Sequence, residues 1–137
     1  MDNKAVINSF KSILWTRHAR FKMNYYKLSE ARVKKVLHSP KRIEEGVALK
    51  TMAAMQPSSI KYLKNDNKKS SSEKNIRSEI WSQEIWVMFQ DLKEKRVIIS
   101  AWRFPGMSKQ KNSSSIINKM KEEYDSFIKD LKSDSAS

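Results

Sequence analysis

Two short stretches near the start of the chain repeat their apolar residues at the spacing of a helix. In the first stretch Ala19, Met23 and Tyr26 are separated by four and three residues, so they form one stripe. Thr16 precedes them and can accept a hydrogen bond from a free backbone amide at the helix start. The pattern predicts a helix whose charged residues face outwards.

A second helix is predicted to begin at Ser29 and to end at Ser39-Pro40, because proline disfavours helical geometry in the residue before it. Its inward positions are Val33, Val36 and Leu37. The basic residues between these positions face outwards. The two helices together are therefore predicted to form one basic lobe.

The middle of the chain changes to extended patterns. The apolar patterns there predict strands at residues 42–56, 84–91 and 96–103. The last two strands are predicted to form an antiparallel hairpin with a buried face. Residues 5–15 fit either a short helix or an entry strand. These elements together predict the α+β class, with two N-terminal helices packed on a small antiparallel sheet.

We interpret residues 1–106 as one domain and residues 107–137 as a linker with a C-terminal helix. A tract rich in lysine, asparagine and serine at about 64–80 predicts a mobile polar loop. The tail predicts an amphipathic helix with the apolar seam Ile117, Met120, Tyr124, Phe127 and Leu131. This seam can pack on the sheet, associate with a second copy of the chain, or bind another protein.

Charge favours a polyanionic partner. The 137 residues carry 28 lysines and arginines against 15 carboxylates, a net charge of +13, and residues 1–106 hold 22 of the basic groups. Such a field attracts RNA or DNA through counterion release. The candidate phosphate contacts are Arg17, Arg20, Arg32, Lys34, Lys35, Lys41 and Arg42.

Several classes of site are not supported. The chain has no cysteine, which excludes disulfides, thiolate zinc sites and a cysteine nucleophile. Glu44 and Glu45 are adjacent and would point to opposite faces of a strand, so no metal site is expected. Gly46 and Gly106 are the only glycines, so no glycine-rich phosphate loop and no cofactor are expected. The lack of a long apolar segment predicts a cytoplasmic protein with no membrane partner.

Residues 16–23, which read Thr-Arg-His-Ala-Arg-Phe-Lys-Met, resemble the start of a bacterial domain family of unknown function. That family opens with His-Ala-x-x-Arg-Met-x-x-Arg-Gly-Ile-Ser, and Lys22 and Tyr26 stand at its two arginine positions. It is grouped with the barnase, EndoU, colicin and RelE superfamily, which includes the RelE and BrnT ribonuclease toxins. The resemblance covers about residues 5–106 and implies a RelE-like fold.

Metal-independent RNA cleavage requires proton transfer and cationic stabilisation of the phosphate. His18, Lys22 and Tyr25 are spaced to share one helical face, and Arg103 ends the last predicted strand, where it could approach them. We therefore interpret the chain as an RNA-directed endoribonuclease of toxin type, for which the resemblance implies an acidic antitoxin partner. The alternatives are a noncatalytic nucleic-acid-binding module with a structural His18, and an interaction protein that uses the C-terminal helix.

Overall fold

The computed structural model of the protein describes residues 12–64, 77–109 and 113–136, and it confirms the α+β class. Three helices and a mixed five-stranded sheet form the main body of the described residues. The elements in chain order are β1 (Ser12–Trp15), α1 (Arg17–Tyr26), α2 (Glu30–His38), β2 (Arg42–Glu45), β3 (Thr51–Pro57), β4 (Lys61–Lys64), β5 (Arg77–Ile80), β6 (Gln83–Asp91), β7 (Lys95–Pro105) and α3 (Ser114–Ala136). No helix in these ranges has the length and apolar character needed to cross a bilayer.

The first two helices begin at the predicted caps. The Thr16 hydroxyl accepts a hydrogen bond from the Ala19 amide at 3.0 Å, and the Ser29 hydroxyl accepts one from the Arg32 amide at 3.0 Å. Between the helices Lys27 adopts a left-handed conformation with φ of 59°. This turn ends α1 and lets α2 begin after three intervening residues.

The sheet order is β1-β7-β6-β3-β2, and the prediction of an antiparallel sheet is wrong for β1. Ser12–Trp15 pairs with β7 in parallel, whereas the other neighbouring strands are antiparallel. No hairpin fixes the direction of β1, because about 80 residues separate it from its partner. Of the two alternatives for residues 5–15 the strand is observed at the described end, and residues 1–11 lie outside the described residues.

Residues 42–56 are two strands rather than one extended segment. The turn between β2 and β3 is closed by the Gly46 amide, which donates to the Thr51 carbonyl at 2.7 Å. A Cβ atom at Gly46 would lie 2.1 Å from the Thr51 hydroxyl, so this close approach requires glycine.

The predicted loop at about 64–80 is wrong at its ends, since β4 and β5 pair there as a second sheet. Residues 65–76 lie outside the described residues.

The predicted β6–β7 hairpin is confirmed, and it contains a bulge. Phe89 pairs with Ile98 while Met88 pairs with Ser100, so Ile99 is an extra residue in β7. The bulge changes the alternation of β7, with Ile99 packed in the core on the α3 side and the adjacent Ser100 bonded to α3. The polar Ser100 side chain thereby lies on the α3 side of the sheet, next to the apolar core.

The sheet has a hydrophobic core on each face. Helices α1 and α2 cover one face, where Val33 and Val36 pack on Ile85 and Val87. Helix α3 covers the other face, which contains the parallel and fully buried rings of Trp86 and Trp102. Packing on the sheet is therefore the observed role of the C-terminal seam.

Four of the five residues of the predicted seam pack on the core of this face: Met120 is buried, and Ile117, Tyr124 and Phe127 are partly buried. Leu131 is exposed, and Ile116 and Glu123 are buried although the seam did not include them. The predicted pattern counted apolar residues alone, so it missed a carboxylate on the inward face. Helix α3 also belongs to the same body as the preceding strands, because it completes their second core.

Candidate functional site

Six polar residues meet where α1, β7 and α3 come together, and we call them the inner cluster. Its members are His18, Lys22, Ser100, Lys119, Glu123 and Asp130. Glu123 is at its centre and only 2% exposed. A carboxylate at this depth requires close polar partners to offset its lost hydration.

Glu123 has partners on both oxygens. Oε2 lies 3.0 Å from Lys22 Nζ and 3.2 Å from Lys119 Nζ, and Oε1 accepts a 2.6 Å hydrogen bond from the Ser100 hydroxyl. Burial alone would raise the pKa of this carboxyl, but its contacts with His18, Ser100 and Lys22 outweigh burial and lower the pKa to about 2. Glu123 is therefore ionised and links α3 to α1 and β7.

His18 lies between two carboxylates and is 4% exposed. Its Nδ1 lies 2.5 Å from Asp130 Oδ2, and its Nε2 lies 3.6 Å from Glu123 Oε1, a distance that is too long for a hydrogen bond. Burial lowers the pKa of His18, but the contacts with Glu123 and Asp130 outweigh that effect and raise the pKa. The two acids thus hold the imidazole in the interior of the protein.

The structure brings together only part of the predicted catalytic group. His18 and Lys22 both contact Glu123, whereas Tyr25 is exposed and lies on the other side of Lys22, whose Nζ is 5.8 Å from the Tyr25 ring centroid. Arg103 lies at the opposite end of α1, where its Nε donates to the Tyr26 carbonyl at 2.8 Å. Arg103 does not approach His18 as expected, because it bonds the C-terminal end of α1 whereas His18 lies in the first turn of that helix.

Arg103 and Arg32 form a second polar site, which we call the arginine pair. Gln56, Ile85 and Arg103 are direct neighbours across β3, β6 and β7. Arg32 Nη1 donates to Gln56 Oε1 at 2.6 Å, and Arg103 Nη1 donates to Gln83 Oε1 at 2.9 Å. Both guanidinium groups are therefore held by neutral side chains at the same end of the sheet.

The arginine pair has no compensating acid among the described residues. Neither Arg32 nor Arg103 makes an ion pair with a carboxylate in the part of the chain that the structure describes. Burial lowers the pKa of Arg32, and the positive charge of Arg103 lowers it further. Two like charges in one partly buried site are unfavourable until an anion lies between them.

The other predicted phosphate contacts lie in three different settings. Three of them form ion pairs with carboxylates of the same chain: Arg20 Nη1 lies 2.8 Å from Glu30, Arg42 Nη2 lies 2.6 Å from Glu44, and Lys41 pairs with Glu79. Arg17 borders a hollow of about 300 Å³ together with Phe21, Asp130 and Ser133. Lys34 and Lys35 are exposed, and neither makes an ion pair within the described ranges.

Lys34 and Lys35 border a groove of about 390 Å³ between α2 and the sheet edge. The groove is lined by Ile13, Ala31, Lys34, Lys35, Leu37, His38 and Arg96, and none of these is acidic. Arg96 is itself matched by Asp91, with Nε 2.7 Å from Oδ1. The two lysines consequently supply the uncompensated charge at this groove.

No protein-family model, curated protein or solved structure significantly matches this chain. The interpretation of the site therefore depends on its geometry. Within the described residues no group of three or more His, Cys, Asp or Glu side chains could hold a metal ion. The arginine pair is suited to binding an anion, and the inner cluster is suited to joining α3 to the sheet.

Sequence reasoning missed four members of the inner cluster, namely Ser100, Lys119, Glu123 and Asp130. One signal could have indicated Glu123, which stands three residues after Met120 and seven after Ile116 on the same helical face. Asp130 follows seven residues after Glu123. A carboxylate among the buried apolar positions of a helix indicates a cationic or hydrogen-bonding partner opposite it, because a buried charge needs polar partners.

Proposed function

We propose that the protein binds RNA through the arginine pair and the exposed lysines of α2, and that His18 has a structural role. The observation that supports this proposal is the absence of any described carboxylate partner for Arg32 and Arg103. An RNA phosphate between the two guanidinium groups would relieve their repulsion and accept charge-assisted hydrogen bonds.

The surrounding charge supports the same proposal. Residues 12–64 carry twelve lysines and arginines against three carboxylates. Lys34 and Lys35 lie on α2, as does Arg32, and can contact further phosphates along a bound strand. Phosphate contacts of this kind bind without reading sequence and are sensitive to salt.

The second candidate is a metal-independent endoribonuclease of toxin type with a RelE-like fold. The resemblance of residues 16–29 supports it, as does the order of two helices followed by antiparallel strands. His18 and Lys22 both contact Glu123, so these two predicted catalytic groups do lie together. An acidic antitoxin would then be a partner that competes with RNA for the basic side chains.

Binding is tested by fluorescence anisotropy with a labelled single-stranded RNA in EDTA over a series of KCl concentrations. The wild type should lose affinity as salt rises, and Arg32→Gln should weaken binding and reduce the salt slope by about 0.7, the value for one lost phosphate contact on a single strand. Arg20→Gln is the matched control, because it removes the same charge from an arginine already paired with Glu30. Equal losses in the two variants would contradict the proposal.

Cleavage is tested by incubating the same RNA with protein in EDTA and resolving the products on a gel. Products from the wild type that disappear in His18→Gln, with an unchanged circular dichroism spectrum, would favour the endoribonuclease. Intact RNA in both reactions, together with salt-dependent binding, would favour the noncatalytic module. Equal cleavage by both proteins would exclude His18 from the mechanism.

A further inference from the structure

Helix α1 presents two large aromatic side chains to solvent. Phe21 is 65% exposed and Tyr25 is 69% exposed, although both are of types usually covered in a folded domain. They are four residues apart, so their side chains are neighbours on one face, about 6 Å apart along the helix axis. Two adjacent exposed rings form an apolar patch of the kind that marks a binding surface.

Neighbouring residues orient the Tyr25 ring. It packs edge-on against the Tyr26 ring at a centroid distance of 4.8 Å, and Lys22 Nζ lies 5.8 Å from its centroid. The same stretch of chain leads to the arginine pair, because the Tyr26 carbonyl accepts the hydrogen bond from Arg103 Nε. Tyr25 is therefore next in sequence to a residue that contacts the proposed phosphate site.

The charges around the rings favour an anionic occupant. Helix α1 contains three lysines or arginines and no acid. Arg17 borders the same hollow as Phe21. The acid that reaches this hollow from α3 is Asp130, whose carboxylate is engaged with His18 Nδ1. Aromatic faces combined with nearby cations are typical of surfaces that bind single-stranded nucleic acid.

We propose that Phe21 and Tyr25 are a stacking platform for unpaired bases of an RNA strand. This inference depends on the proposed function, since the arginine pair and the α2 lysines would bind the phosphates of the same strand. It specifies the RNA as single-stranded, because bases within a duplex cannot present their faces to protein side chains. The rings accept any base, so the platform supplies affinity without sequence preference.

The test compares two labelled oligonucleotides of equal length, a single-stranded RNA and a strand of stable abasic ribose spacers. Phe21→Ala with Tyr25→Ala should weaken RNA binding by about fivefold or more per ring, the lower limit for base stacking on an aromatic side chain. The same variant should keep the wild-type affinity for the abasic strand. Phe21→Leu with Tyr25→Leu should resemble the alanine variant, because leucine keeps apolar bulk but has no ring.

Leu49→Ala is the matched control, since it removes an exposed apolar side chain in the turn between β2 and β3. If the wild type binds both oligonucleotides with equal, salt-dependent affinity, the stacking platform is wrong and the proposed phosphate site is still supported. No salt-dependent binding of either strand would overturn both proposals. A dimer that dissociates in the double alanine variant, measured by sedimentation without RNA, would assign the two rings to self-association instead.

Discussion

The inner cluster and the arginine pair both hold cationic side chains in place, but they do so with different partners. In the inner cluster Glu123 accepts contacts from Lys22 and Lys119, so positive charge is matched within the protein. In the arginine pair Arg32 and Arg103 are held by glutamines and carbonyl groups, and no carboxylate in the described part of the chain matches their positive charge. The comparison teaches that net charge alone does not identify a binding surface. The cations that indicate a binding surface are those whose side chains are held by neutral groups and have no carboxylate partner.

The two sites also differ in what they contribute to stability. A buried ion pair stabilises little against an apolar replacement, but the loss of one partner is costly because the other charge stays buried. The inner cluster should therefore be sensitive to removal of its carboxylate. The arginine pair should instead respond to added anions.

The largest effect is expected from Glu123→Ala. This change leaves Lys22, Lys119 and the His18 side chain without their shared acid, and we expect a loss of about 3–5 kcal/mol in the free energy of unfolding. Urea denaturation at pH 7 measures the loss. Glu122→Ala is the control, because that neighbouring carboxylate is exposed and should change stability by about 0.5 kcal/mol or less. Similar losses in the two variants would show that the buried Glu123 contributes no more to the free energy of unfolding than an exposed carboxylate does.

A smaller effect is expected from the protonation of His18. Its folded pKa is raised above the usual 6.5, so protonated His18 stabilises the fold fully below about pH 6.5. That contribution is lost as pH rises through the raised pKa. The free energy of unfolding, measured from pH 5.5 to 8.5, should therefore fall more steeply in the wild type than in His18→Gln.

His38→Gln is the matched control for this measurement, because it removes an exposed imidazole at the end of α2. It should keep the wild-type dependence on pH. A steep fall that persists in His18→Gln would exclude the inner cluster as its source.

The smallest effect is expected from sulfate at the arginine pair. A bound anion stabilises the folded protein by about 1.4 kcal/mol when its concentration is ten times the dissociation constant. Sodium sulfate, compared with sodium chloride at equal ionic strength, should therefore raise the melting temperature more in the wild type than in Arg32→Gln. Arg20→Gln should behave as the wild type. The same gain in all three proteins would reflect only the general exclusion of sulfate from protein surfaces.

Local signals in the sequence predicted much of the fold. Thr16 and Ser29 predicted both helix starts because the hydroxyl of each bonds an amide only three residues away. The β6–β7 hairpin was predictable because its strands are adjacent in sequence and strongly apolar. These elements depend on neighbouring residues, so a single sequence is sufficient to predict them.

Contacts between distant residues were harder to predict. The His18–Asp130 contact spans 112 positions, and the pairing of β1 with β7 spans about 80. The arginine pair likewise depends on strand register, which brings Gln56 and Arg103 to either side of Ile85. Arg32 and Arg103 were both candidate site residues, but their association was not predicted. It required knowledge of the sheet order.

The packing of α3 on the sheet determines when the domain can finish folding during synthesis. Ile116 and Met120 close the core over Trp86 and Trp102, and Glu123 on the same helix compensates the cations of α1. A nascent chain that has released only its strands would expose both indole rings, which makes such an intermediate prone to aggregate. Because α3 follows all the strands in sequence, it completes their second core after they are made, and a chaperone that shields the tryptophan face until then should increase the yield of native protein.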